Sequence, residues 1–409
     1  MRKPKVLFFA EDVTLAHFGR MAALASALDP TEFDVVMACG PQFRRLLPQG
    51  ALRLAPLRST LTAEFNRRLA NDEPVFSQET LERYLSEDLA LMGHEKPDVV
   101  VGDFRLSLGI SAELAGIPSI AVTNGCWSPY STLPFPVPEH AAVRLLGVPA
   151  AKGILSLAGP LFLRRHFAAF NEVRGSLGLA PVESLQQFYT LADLTLYPDS
   201  PTLAPTRALP SNHRYLGPVL WEPAVPLPTW WNELPEDRPV IYLSSGSSGE
   251  TTLASVALRA LADLPVTVVT AAGAAGVTSV PSNARVAPYL PGIAAAHRAS
   301  LVISNGGNGT LYQALTGGVP VLGVPSNADQ YLCMESLVAT GAGRLIRAGH
   351  FSEEALRQEV TNMLGGGFTA AAKTHQRELA QFDSSQRFTA SLRDLLASGS
   401  ASSRRATGY

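Results

Sequence analysis

Ser304-Asn305-Gly306-Gly307-Asn308-Gly309-Thr310 joins an apolar run, Leu301 to Ile303, to a helical pattern through a turn rich in glycine. A helix entered in this way presents backbone N–H groups to an anion, and a diphosphate is the natural occupant. Gly318-Val319-Pro320 then leads into a second buried run, Val321 to Val324, which delivers Asp329 and Gln330 beyond its carboxyl end. Ligands of open parallel sheets sit at that end, and an acid beside an amide suits sugar hydroxyls. The segment therefore commits the chain to an α/β architecture with a site for a phosphorylated ligand.

Short β-rich apolar runs alternate with helical patterns along all 409 residues, which predicts doubly wound parallel sheets. Strands are expected near Val6–Ala10, Phe33–Ala38, Val99–Val101, Ile120–Thr123 and Leu194–Tyr197. A second set is expected near Val240–Leu243, Val266–Thr270, Arg285–Ala287, Leu301–Ser304, Val321–Val324 and Arg344–Ile346. Phe18, Met21, Leu24 and Leu28 recur at helical spacing, so a helix is expected over Leu15–Leu28; Ser77 is placed to cap another from Gln78 to Met92. Leu216 to Asp237 holds five prolines and three tryptophans with neither regular period. It reads as a linker over 216–237, between domains 1–215 and 238–382. A last helix is expected over 383–397, followed by a Ser, Gly and Arg-rich tail over 398–409 that reads as disordered.

The segment from about Tyr289 to Gln330 resembles the donor-binding signature of glycosyltransferase family 1, and the chain is similar to that family in length and element order. The resemblance implies the GT-B fold: two Rossmann-like α/β domains facing across a cleft, with the last helix crossing back to brace the first. It implies a metal-independent, inverting transfer of a hexose from a UDP- or TDP-sugar, needing no cofactor beyond that co-substrate. By the same resemblance Asn305, Gly306, Gly307 and Thr310 hold phosphate, and Asp329 and Gln330 hold the sugar. Tyr289 takes the place of an aromatic stacked on the base, although an edge-strand tyrosine is the other reading. Ser245-Gly246-Ser247 resembles the loop that hydrogen-bonds diphosphate or base, or is a simple Ser/Gly turn. Two positions depart from the pattern: Asn305 stands where the family usually has histidine, and Gln313 where many members have a ribose-binding glutamate. Both replacements keep hydrogen-bonding capacity and lose charge, which bears on donor affinity and choice.

Inverting transfer needs a base for the acceptor hydroxyl proton, and histidine titrates in the useful range. His17 follows the first strand, where the family places its base, but the family's flanking glycine and proline are absent: Ala16 and Arg20-Met21 stand there instead. Asp103 ends another strand and matches the partner acid that would orient the imidazole; it also reads as the cap of a helix over Leu106–Ala115. Acceptor contacts are expected from Asn124, Trp127, Tyr130 and Phe135, in a stiff aromatic segment that suits a phenolic, polyketide, terpenoid or lipid-like aglycone and equally reads as a packed loop.

A net charge of −2 and the lack of any Lys/Arg tract give no electrostatic reason to expect a polyanion partner, and no nucleic acid is expected. The three cysteines are far apart, without zinc-site spacing, and there is no Asp-x-Asp pair, so no metal is expected. The apolar run at Val6–Ala10 is cut by Glu11-Asp12 and is too short for a secretory core, which points to a cytoplasmic protein, as monomer or homodimer. Ile154 to Leu163, ending in Arg164-Arg165, is too short to span a bilayer but can lie on its surface or cover the acceptor pocket. Two other functions fit the same features: a GT-B nucleotide-sugar epimerase and a non-catalytic sugar-nucleotide-binding protein.

Overall fold

Lys-Val-Leu-Phe-Phe-Ala can bury both of its faces only as an inner strand of a parallel sheet covered on two sides. That is its place in the computed structural model, which describes residues 2–71, 73–137, 141–246, 252–271 and 280–406. Val6, Phe8 and Ala10 enter one core cluster, and Leu7 and Phe9 enter another on the opposite face. The first sheet contains β1 (Lys5–Ala10), β2 (Asp34–Cys39), β3 (Arg53–Pro56), β4 (Val99–Asp103), β5 (Ser119–Val122), β6 (Leu194–Tyr197) and β7 (His213–Tyr215). Its spatial order is β3-β2-β1-β4-β5-β6-β7, all parallel, with Ala10 in register with Cys39 on one side and Asp103 on the other. The order reverses direction between β1 and β4, and the crevice at their carboxyl ends is the ligand position of such sheets.

The second sheet contains β8 (Val240–Ser244), β9 (Thr267–Ala271), β10 (Ala284–Ala287), β11 (Leu301–Ser304), β12 (Val321–Gly323) and β13 (Gly343–Leu345). Its order β10-β9-β8-β11-β12-β13 reverses between β8 and β11. The loops after these two strands carry Ser245-Gly246 and Asn305-Gly306.

The chain divides into two compact units. The first contains residues 1–132, 157–221 and 382–409, and the second contains 133–156 and 222–381. The first unit therefore includes the carboxyl-terminal helix Ser384–Ala406, whose Phe388 and Leu392 are fully buried in its core. Burying two such side chains contributes about 1.5–3 kcal/mol each. Gly217, at φ 83°, lets Phe382 close onto the backbone; the position of a Cβ there is already filled by the Phe382 side chain. The helix continues to Ala406, past residue 397, where the sequence suggests an irregular tail.

The helix Leu15–Ser26 buries Phe18, Met21 and Leu24, and Ser77 caps Gln78–Glu95 by accepting from the Thr80 N–H at 3.2 Å. Both strands that the sequence reading misses, β3 and β7, lie at sheet edges. An edge strand has one neighbour and need not bury both faces, and only one residue in each is buried. The apolar run 154–163 lies within the helix Ala141–Ser176, which breaks at Gly147 (φ 76°, ψ 161°); its side chains at 154–162 are outside the described residues. Among the described residues no helix is long and apolar enough to cross a membrane.

Candidate active site

The Leu15–Ser26 helix starts five residues after β1 and anchors its apolar face in the core, which leaves His17 and Arg20, three residues apart on one face, over the β1/β4 crevice. Val99-Val100-Val101 draws β4 into the sheet and puts Asp103 at its carboxyl end, 1% exposed. The imidazole and the carboxylate meet there. His17 Nδ1 lies 2.8 Å from Asp103 Oδ1; an ionised carboxylate only accepts, so Nδ1–H is the donor and Nε2 is left as the proton-accepting nitrogen. Asp103 caps no helix: the following one is Leu108–Ala115 and starts after Ser107.

Arg20 completes the cluster, a role that nothing in its local sequence signals. Its Nε donates to Asp103 Oδ2 at 2.6 Å and its Nη2 to Oδ1 at 3.2 Å, while Nη1 donates to Oδ1 of the Asn124 side-chain amide. Asn124, expected to contact an acceptor, is thereby drawn into this network and is 8% exposed.

Phe104 lies between Asp103 and Arg105 with φ 61°, a left-handed conformation that costs a non-glycine residue about 1–2 kcal/mol. The turn sends Phe104 outward to stack on His17, with centroids 4.7 Å apart and planes at 15°. It sends Arg105 inward, fully buried, where its guanidinium pairs with Glu11 (3.0 Å) and Asp88 (2.9 Å) and lies 3.6 Å above the Tyr84 ring. The ion pairs hold the strained turn in place. Around Phe104 the aromatic contacts continue through Tyr189 (6.0 Å) to Trp127 (5.2 Å from Tyr189), so Trp127 joins a continuous aromatic shelf that reaches the imidazole. Tyr130 instead packs edge-on against His213 at 5.1 Å, and Phe135 belongs to the second unit rather than the first.

Asp12, 2% exposed, accepts from the Gln42 N–H through Oδ2 at 3.2 Å, and its Oδ1 has no partner among the described residues. Burial, aided by the charge of Glu11, outweighs the backbone N–H bonds it accepts and pushes the carboxyl up to about 6. Its ordinary value is 3.8, so between pH 4 and 6 the folded state binds more protons than the unfolded one, and stability falls as pH rises through that window. The ceiling is about 3 kcal/mol. Asp12→Asn keeps an acceptor oxygen and removes the charge; its melting temperature relative to the unaltered protein should rise from pH 4 to pH 7. A difference that stays flat with pH would exclude this titration.

In the second unit Asn305 is buried, with Oδ1 accepting from the Gly307 N–H at 3.3 Å. Gly306 has φ 79°, and a Cβ there would meet Met334 Cγ at 2.5 Å and the Gln330 carbonyl oxygen at 3.4 Å. A Cβ on Gly246 would meet the Asn305 amide at 2.9 Å. Gly246, Asn305, Gly306 and Gln330 thus converge at the β8/β11 crevice. The helix Asn308–Thr316 starts beside them with no side-chain cap at Gly307, and Thr310 lies in its first turn. Gln330 Oε1 accepts from Ser326 N–H at 2.8 Å, whereas its Nε2 and the Ser245 Oγ are buried without partners among the described residues. Leaving such groups unmatched costs about 1–3 kcal/mol each, which a bound acceptor oxygen would offset.

Asp329 lies in the first turn of Ala328–Ala339, which Asn327 caps by accepting from Gln330 N–H at 3.1 Å. Gln313 packs its amide against Gly292, 2.7 Å from where a Cβ would stand, and Glu222 accepts from the neighbouring Ile293 N–H at 2.8 Å. Tyr289 precedes the helix Gly292–Arg298; burial first, then Tyr242 and Glu222, push its phenol up to about 12. Ser247 lies outside the described residues.

Two parallel-sheet α/β units, each with polar groups gathered at its switch point, are the architecture of a GT-B glycosyltransferase. The spinosyn rhamnosyltransferase SpnG, solved with thymidine diphosphate, has this fold: TM-score 0.69 at 21% identity, over 95% of this chain and all of that one. Residues 255–390 match the family described as erythromycin biosynthesis protein CIII-like, C-terminal domain. The chain is 45% identical over 375 residues to a PGL/p-HBAD biosynthesis glycosyltransferase of Mycobacterium tuberculosis, covering 91% of this chain and 88% of the relative. It is 44% identical over 365 residues to a PGL/p-HBAD biosynthesis rhamnosyltransferase of Mycobacterium bovis, covering 89% and 81%. The chain belongs to the GT-B natural-product glycosyltransferase family and is a glycosyltransferase.

Proposed function

We propose that the chain transfers a hexose such as rhamnose from a TDP- or UDP-sugar to a hydroxyl of a hydrophobic acceptor of PGL/p-HBAD biosynthesis, with inversion and without a metal ion. The observation that carries the proposal is the His17–Asp103 hydrogen bond, 2.8 Å long, at the β1/β4 switch point. Nδ1 is occupied by the carboxylate, so Nε2 takes the acceptor's proton. The acceptor oxygen forms its bond to the anomeric carbon from the face opposite the diphosphate, and the breaking C–O bond gives its electron pair to the diphosphate. Backside displacement inverts the anomeric centre. The Gly306-Gly307 turn and the start of the Asn308–Thr316 helix suit the departing charge, which a helix N-terminus can stabilise without a cation.

The aromatic shelf from Phe104 to Trp127 supports a flat, apolar acceptor, and the names of the two mycobacterial relatives support the acceptor class and a rhamnose-type sugar. The thymidine diphosphate bound to the spinosyn enzyme supports a TDP donor. Protein dialysed against EDTA, given TDP-rhamnose or UDP-glucose with a phenolic acceptor, should yield a product heavier by one sugar, with anomeric configuration opposite to the donor's. Retained configuration, or activity lost to EDTA and restored by a divalent cation, would overturn the mechanism. A changed nucleotide sugar in reactions without acceptor would indicate an epimerase instead.

A further inference from the structure

We infer that Arg20 is a positioning residue for the base, so that His17 is held by a relay of three residues, Arg20–Asp103–His17, anchored at Asn124. The inference rests on the reading of His17 as the base and deepens it. Arg20 comes from the Leu15–Ser26 helix, Asp103 from the end of β4 and Asn124 from the loop after β5, so one guanidinium ties three elements together at the mouth of the crevice. It spends its donors in a fork: Nε on Oδ2 at 2.6 Å, Nη2 on Oδ1 at 3.2 Å, Nη1 on Asn124.

A carboxylate with one oxygen engaged only by His17 can rotate about its χ2 bond and swing the imidazole with it. Engaging both oxygens by one planar group removes that freedom and fixes the carboxylate plane. The remaining direction at Oδ1 then points at His17 Nδ1, and Arg20 Nη2 stands 3.1 Å from that nitrogen. The carboxylate can only accept, so the ring nitrogen held against Oδ1 is the one that carries the proton, and Nε2 is left available. A buried Arg–Asp pair is weak evidence of added stability in itself, since desolvation offsets most of the attraction. Here the pair's geometry, rather than its energy, is what the base needs. An ammonium group at position 20 would supply charge but no planar fork.

The test uses the full chain with Arg20→Ala and Arg20→Lys, assayed with a nucleotide sugar and a phenolic acceptor. Misplacement of a catalytic group by about 1 Å costs roughly a hundredfold in rate, and Arg20→Ala should lose about that in kcat with the donor KM unchanged. Guanidinium chloride at millimolar concentrations, far below those that unfold proteins, should recover at least about tenfold of the loss by filling the vacated space. Arg20→Lys, the variant that decides if the alanine protein fails to fold, should show reduced kcat at unchanged KM. Wild-type kcat in either variant, a loss confined to KM, or an alanine variant that guanidinium does not rescue would overturn the inference. Turnover retained by His17→Ala sinks the base reading and this inference with it; turnover lost in His17→Ala but retained in Arg20→Ala sinks this inference alone.

Discussion

Replacing His17 by alanine should lower kcat about a thousandfold, within the range typical of a removed general base, while the affinity for the nucleotide sugar stays within about threefold. The split follows from where the groups lie. His17 and Asp103 belong to the first unit, and the residues proposed for the donor, Gly246, Asn305, Gly306 and Gln330, belong to the second. The His17 side chain is 17% exposed and contributes one stacked contact, to Phe104, so its loss should not unfold the chain. Asp103→Asn should be nearly as damaging, because an amide can turn its NH2 group toward Nδ1 and favour the wrong tautomer. Steady-state turnover alongside calorimetric titration of TDP would settle the point. An alanine variant that keeps a tenth of the normal rate would remove His17 from the chemistry.

The second large effect is expected in stability. Arg105, Glu11 and Asp88 have fully buried side chains, and Ser107 Oγ donates to Asp88 Oδ2 at 2.6 Å. Burial raises both carboxyls, and Arg105 opposes the rise. Arg105→Met removes the cation and leaves two buried carboxyl groups with hydroxyl partners alone, which should cost about 3–5 kcal/mol. For a unit of this size that is a fall of about 10 °C in melting temperature. Activity should fall with it, because the same network holds Phe104 in its left-handed turn beneath His17. Adding Glu11→Gln and Asp88→Asn should recover much of the stability, since the penalty comes from uncompensated charge. Thermal melts of the single and triple variants test this, and an Arg105→Met protein melting within about 2 °C of normal would refute it.

The inner strands are legible in the sequence because a parallel strand buried on both faces must be apolar throughout. Leu194–Tyr197 and Leu301–Ser304 match their expected bounds to the residue for that reason. The edge strands β3 and β7 carry no such pattern and escape a sequence reading. His17 and Asp103 stand out through position: each follows or ends an inner strand, and the structure joins them across 86 residues of chain. Arg20 shows in the sequence only as a departure from a resemblance. A lone arginine on a helix reads as a solvated charge, and nothing local marks one that will be 9% exposed and bound to a carboxylate 83 residues away. Phe135 is expected in the first domain because it directly follows that domain's loop, yet the chain passes into the second unit after Thr132 and returns at Leu157.

By itself the sequence determined the inner strands of the two parallel sheets, the helix that follows β1 and the glycine turn at 304–310, since hydrophobic period and backbone freedom are local properties carried by neighbouring residues. Only the tertiary structure decided the company each polar group keeps: the Arg20 fork on Asp103, the bond from Arg20 to Asn124, and the Arg105 network beneath Phe104. Those pairings depend on which strand ends lie side by side at the sheet's switch point, and strand order is set by the packing of the whole unit rather than by any segment of it.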